Sequence, residues 1–202
     1  RARRPRKEDR RVVVVTRVRA ARIVRRASNL SLRLPSCWRV EVVNAGAGRR
    51  LVAQVQLRAA LHGFAHIFPG SVPKPTAVTL EREWAALLGE PQNEIRVALL
   101  GDSLVGAVAF GVDHALTPPG YGHLARLYVD PDHSGRGIGG ALHDMALAGL
   151  EAAGWSRAWL WVLEGNSRAR GMYERRGWVA QHSRRTDWPE SGVFETSYAR
   201  VL

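Results

Sequence analysis

The chain has 202 residues, 46% of them hydrophobic and 24% charged, with a formal net charge of +12. That length suits one domain with a full core and is too short for two. A single cysteine, Cys37, excludes an intrachain disulfide and any cysteine-clustered metal site; no apolar run approaches the ~20 residues of a membrane span.

The charge is unevenly placed. Residues 1–38 carry 13 Lys/Arg against 2 Asp/Glu, whereas residues 39–202 carry 17 against 16. The chain therefore divides into an Arg-rich extension, 1–38, and a nearly neutral body, 39–202. Several readings of the extension stay open: a disordered basic arm touching nucleic acid or acidic surfaces, a targeting peptide, sequence foreign to the natural protein, or an inert solvated segment. The last two are preferred, because charge runs are weak evidence of specific binding. Nucleic acid is expected as a partner only through this arm, and Val12–Val15 within it is a run fit to pair onto a sheet edge.

In the body, Trp38–Val43 alternates as a first strand, and residues 44–48 form a turn. Arg49 to Ile67 spaces its apolar residues as an amphipathic helix. After a Pro-rich loop, Thr76 to Leu88 reads as a second helix, with Thr79 as its candidate N-cap. Glu94–Leu100 and Ser103–Val112 flank Gly101-Asp102 as a hairpin. Gly122–Val129 is the central strand, Gly139–Ala153 a helix, and Arg157–Leu163 another strand. A short helix follows from Asn166, closed by Gly177. Trp178–Arg184 and Val193–Val201 complete the sheet. The order β-α-α-β-β-β-α-β-α-β-β predicts a mixed α/β layer fold.

Chemistry concentrates where the central strand ends. Leu127-Tyr128-Val129-Asp130-Pro131 runs into Ser134-Gly135-Arg136-Gly137-Ile138-Gly139-Gly140 and then a helix. Glycines let backbone approach a ligand closely, and a helix N-terminus offers unpaired N–H groups and a positive dipole end. Together they make a pyrophosphate cradle. No Lys follows the glycines, against a Walker site, and the spacing does not fit the dinucleotide fingerprint. A second segment joins it: the apolar run Trp159–Leu163, then Asn166, with Tyr173 seven residues later and Gly177-Trp178 beyond.

These paired segments resemble the GCN5-related N-acetyltransferase superfamily, over roughly residues 39–202 and most sharply over 123–180. Val129-Asp130-Pro131, Ser134-Gly135-Arg136-Gly137-Ile138-Gly139, and Asn166 with Tyr173 and Gly177-Trp178 carry the likeness. It implies a mostly antiparallel central sheet flanked by helices, with two splayed parallel strands in its middle. It also implies acetyl-CoA as cosubstrate, no metal and direct attack by an amine. Backbone at Leu127, Tyr128 and Val129 would hold the pantetheine arm, the N–H near Leu127 would polarise the thioester carbonyl, and Gly135, Arg136, Gly137, Ile138, Gly139 and Gly140 would meet the pyrophosphate. Asn166 would bond the pantetheine or a water, or cap the helix. Tyr173 would be the general acid for the leaving thiolate. The loop opens on Ser134 where the family usually has Gln or Arg, removing one side-chain contact.

The general base is not marked. The ribosomal-protein branch carries Glu five residues before the Asn, where this chain has Trp161. His123 and Glu164 are the candidates, His66 and His114 lesser ones, and each has an ordinary packing or surface reading. His62 and His66 stand at i, i+4 without the Glu of a zinc motif, so no metal site is expected. His62, Phe64, His66, Phe68, Trp84, Tyr121 and Trp161 would line an acceptor pocket. Without clustered acids, that pocket suits a small amine rather than a polycation. The resulting expectation is a cytoplasmic N-acetyltransferase for a small-molecule primary amine, with no membrane partner and a homodimer left open. A non-catalytic acyl-CoA-binding module and a protein or peptide N-acetyltransferase are the alternatives.

Overall fold

The computed structural model describes residues 39–42 and 48–202; the 1–38 arm, Cys37 and the predicted turn at 44–47 lie outside the described residues. Among the described residues, seven strands form one sheet: β1 (Arg39–Val42), β2 (Glu94–Leu100), β3 (Ser103–Gly111), β4 (Gly122–Val129), β5 (Arg157–Leu163), β6 (Val179–Arg185) and β7 (Glu195–Val201). Their spatial order is β1-β2-β3-β4-β5-β7-β6. Every pairing is antiparallel except β4 with β5. The described residues also form four helices that cover the sheet: α1 (Gly48–Gly63), α2 (Ala77–Gly89), α3 (Ile138–Ala152) and α4 (Ser167–Glu174). This is the mixed, mostly antiparallel α/β sheet expected. Among the described residues, no helix is long and apolar enough to cross a membrane.

Alternation along β3 builds two cores. Val108 and Phe110 face α3 and join Leu142, Met145, Leu150, Leu160 and Tyr198. Ala107 and Ala109 face the other way and meet Val52, Ala53, Leu80, Trp84 and Leu88 of α1 and α2. Alanines on that face let two helices approach one strand, as close packing requires. On the α3 side the approach is tighter still, since a Cβ at Gly149 would fall on the Phe110 ring.

Several boundaries differ from the sequence expectation. α1 ends at Gly63 rather than Ile67, and Phe64 to Phe68 form turns instead. The cap of α2 is Thr76, not Thr79: its side chain accepts from the Thr79 N–H at 3.1 Å. Trp178 precedes β6, and β7 starts at Glu195 rather than Val193. A 3-10 turn over Pro131–His133, begun by the Asp130 side chain accepting from the Asp132 N–H, separates β4 from the glycine loop.

Candidate active site

β4 and β5 pair only at Gly122↔Ala158 and His123↔Trp159. Beyond His123 they separate, and one edge of β4 has no strand partner while the other stays on β3. A bulge accompanies the separation: Arg126 and Leu124 face consecutive residues of β3, so Ala125 is an extra residue on β4. Bulges bend a strand and re-aim its side chains. Here Leu127 and Val129 pack toward α3 alongside Leu124, while Arg126 and Tyr128 turn to the α1–α2 face.

The open edge leads to the glycine loop. Gly135 and Gly137 have φ of 79° and 84°, a region that L side chains avoid. Gly137 caps α3 with no side-chain hydrogen bond, so the first-turn N–H groups, Ile138, Gly139 and Gly140, lack a side-chain acceptor. A Cβ at Gly137 would meet nothing within 4 Å, and one at Gly135 would meet only the Arg168 guanidinium at 3.9 Å. The loop is therefore open at Gly135 and Gly137, with exposed Arg136 in the loop and exposed Arg168 on α4 beside it, while the Arg176 guanidinium closes on Gly140. Sequence reasoning missed Arg168, whose place beside Gly135 is set by the return of α4.

Asn166 caps α4, its side-chain oxygen accepting from the Ala169 N–H at 3.1 Å. At the other end Gly177, with φ of 79°, lets the Trp178 N–H return to the Tyr173 carbonyl at 3.1 Å and the Gly177 N–H to Glu174 at 3.0 Å. This Schellman-type closure brings the Tyr173 and Trp178 rings to 5.8 Å. Trp178 is held in turn, because its indole N–H donates to His143 Nε2 at 2.8 Å while His143 Nδ1 meets Asp144 at 2.7 Å. Indole only donates, so His143 Nε2 is the acceptor and Nδ1 bears the proton. Tyr173 is thus fixed in a nearly closed aromatic setting, and burial, with Tyr128 adding, holds its phenol well above the usual tyrosine range. It keeps its proton at neutral pH.

The two candidate bases differ in position. His123 is at the last paired register, where the strands part, and burial pushes its imidazole down to about 4, with Asp113 opposing and Arg185 adding. Among the described residues its buried Nδ1 has no partner, nor do the Trp159 Nε1 opposite it and the Thr117 hydroxyl. Glu164 lies past the end of β5, and Arg184 grips both its carboxylate oxygens at 2.5 and 2.8 Å. The structure brings His123 to the opening and commits Glu164 to an ion pair.

Trp84, expected to line the acceptor pocket, is fully buried between α2 and the sheet. Its indole donates to Gln56 Oε1 at 2.7 Å, and Arg126 donates to the same oxygen at 3.0 Å. Both groups only donate, which fixes the amide, so Gln56 Nε2 donates to the Tyr128 hydroxyl at 3.2 Å. Tyr128 therefore has its own proton to give elsewhere. The signal for Gln56 was present in the sequence as a polar residue within the apolar stripe of Val52, Ala53 and Val55.

The chain belongs to the acetyltransferase (GNAT) family, whose family model matches residues 57–178. A mycothiol acetyltransferase of Beutenbergia cavernae is 47% identical over 64 residues, 31% of this chain and 22% of that protein. One of Geodermatophilus obscurus is 38% identical over 71 residues, 35% of this chain and 23% of that protein. The match thus spans less than a quarter of either relative. Among solved structures, the PaiA N-acetyltransferase of Thermoplasma acidophilum in complex with coenzyme A superposes with a TM-score of 0.64 at 15% identity, covering 82% of this chain and 99% of that one. An acetyltransferase from Thermus thermophilus gives 0.63 at 23% identity, over 82% and 97%. These likenesses establish the shared fold.

Proposed function

We propose that the protein transfers the acetyl group of acetyl-CoA to a primary amine of a small molecule. The observation that carries this reading is the opening between β4 and β5 beside an uncapped, glycine-lined helix start. The pantetheine arm of the cosubstrate would lie along the free edge of β4, bonding main-chain groups of Leu127, Tyr128 and Val129 as an added strand does. Amides of residues 135–140 would hold the pyrophosphate, with Arg136 and Arg168 supplying charge. The Asn166 amide, its oxygen already committed to the helix cap, has N–H donors left for the arm.

The Leu127 N–H would polarise the thioester carbonyl and hold the oxygen as charge develops on it. Tyr173, buried and protonated, would give its proton to the departing thiolate. His123, neutral because it is buried, and Trp159 would meet the acceptor through their unpartnered ring nitrogens. The name shared by the two sequence relatives favours a small-molecule acceptor. So does the aromatic surround of Trp159, Trp161 and Tyr121, whose rings lie 5.6 to 5.9 Å from their neighbours.

The test is thiol release from acetyl-CoA by the full chain across a panel of primary amines. Release dependent on both substrates is the expected result. Acetyl-CoA binding with no release for any amine would overturn the transferase reading in favour of an acyl-CoA-binding module.

A further inference from the structure

Trp161 occupies the position where a related branch carries Glu. Its antiparallel neighbour is β7, where Ser197 pairs with Trp161 and Glu195 with Leu163. Residues opposed in an antiparallel pair share a face, so Glu195 stands on the face that carries Trp161, away from α3. Arg185 of β6 confirms this placement, since its guanidinium lies 5.1 Å from the Trp161 ring and 2.6 Å from Glu195 Oε2.

The height of Glu195 along the opening also follows from register. His123 and Trp159 are opposite. Four residues further along β5 is Leu163, paired to Glu195, and five residues further along β4 is Tyr128, one of them taken up by the bulge at Ala125. Tyr128 and Glu195 therefore stand at one level on the same face, with Leu163 of β5 between them. The side chain of Glu195 is 15% exposed, and both Arg185 contacts, Nε at 2.7 Å and Nη2 at 2.6 Å, go to Oε2. Oε1 has no hydrogen-bond partner among the described residues. A half-buried carboxylate with one oxygen anchored by Arg185 leaves the other to accept from a further donor.

We infer that Glu195 is the catalytic residue that takes the proton from the acceptor's ammonium, Oε1 receiving it before attack. This rests on the transferase reading above. An ammonium N–H bond breaks and an O–H bond forms on Glu195. The freed nitrogen pair forms the C–N bond to the acetyl carbon. The C–S bond breaks with its pair on sulfur, which takes the Tyr173 proton. The tyrosinate regains a proton from the acylated nitrogen, and Glu195 returns its own to solvent, so one proton is released per turnover. Burial raises the Glu195 carboxyl, while Arg185 acts against this and Asp187 adds to it. Burial has the largest effect, so the carboxyl is more basic than that of an exposed glutamate. His123, pushed down to about 4, is the weaker proton acceptor.

The test is Glu195→Gln in the full chain, assayed by thiol release with phenethylamine and with its β,β-difluoro analogue, which is largely uncharged at pH 7.5. Phenethylamine turnover is expected to fall roughly 10²- to 10⁴-fold, the usual range for a lost general base. The difluoro amine, needing no prior deprotonation, should lose less than about tenfold, and the acetyl-CoA Kd should stay within twofold. An equal loss for both amines would make Glu195 a packing residue and overturn the inference, as would undiminished turnover with both. Silence of the wild type with both amines, while other amines are acetylated, would also overturn it. If the wild type acetylates no amine of the wider panel, the transferase reading itself fails.

Discussion

Gly137→Ala separates the backbone requirement of the loop from ordinary packing. Gly137 has φ of 84° and would place a Cβ with nothing within 4 Å, so the added methyl meets no protein atom. Its stability cost is the left-handed backbone alone, about 1–2 kcal/mol, or a Tm fall of roughly 2–8 °C for a chain of this size. On the proposed reading the methyl would enter the space of the bound pyrophosphate. Losing one charge-assisted hydrogen bond there costs about 1.5–3 kcal/mol, which corresponds to roughly a 10- to 150-fold rise in the acetyl-CoA Kd. Gly149→Ala is the control. Its Cβ would strike the buried Phe110 ring, an overpacking cost of about 1–3 kcal/mol offset by up to about 1 kcal/mol of helix propensity. It lies in the second half of α3, away from the loop. Calorimetric titration and thermal melts of both variants check the pair. Gly137→Ala should lose affinity and Gly149→Ala only stability. An acetyl-CoA Kd unchanged in Gly137→Ala would refute the cradle.

Tyr173→Phe removes only a hydroxyl from a packed ring. It should keep acetyl-CoA affinity and fold while kcat drops about 10²- to 10⁴-fold; steady-state kinetics with unaltered kcat would exclude the acid role. Arg168→Ala should raise the acetyl-CoA Kd by less than about tenfold and flatten its salt dependence, measured by titration at two ionic strengths, as expected for an exposed phosphate contact. His123 titrates at about 4 when folded against an ordinary 6.5. The unfolded chain therefore binds more protons between those values, so stability is complete above pH 6.5 and falls by about 3 kcal/mol from this group as pH drops to 4. Burial lowers His143 too, in the same direction. Urea melts at pH 7 and 4.5 should show a smaller acid loss in His123→Gln than in the wild type; equal losses would contradict the assignment.

β4 and β5 were legible to the residue, because Gly, Pro and charged turns bound two apolar runs, and so was the glycine-rich turn that leads into α3. Asn166 and Gly177 were legible as caps for the same local reason. What escaped was non-local. The bulge at Ala125 exists only against β3, and it decides which face Arg126 and Tyr128 take. Thr76 and Thr79 are equivalent in sequence and differ only in which one leaves the helix. Glu164 looked like a base until Arg184, twenty residues on, closed on it. Glu195 drew no notice because its place beside Trp161 and Arg185 depends on β7 inserting between β5 and β6.

Titration of acetyl-CoA into the full chain by calorimetry tests the central claim most directly. Saturable one-site binding, weakened by Gly137→Ala and competed by free coenzyme A, is the predicted result. Absence of any binding heat from folded protein, at several temperatures, would contradict it.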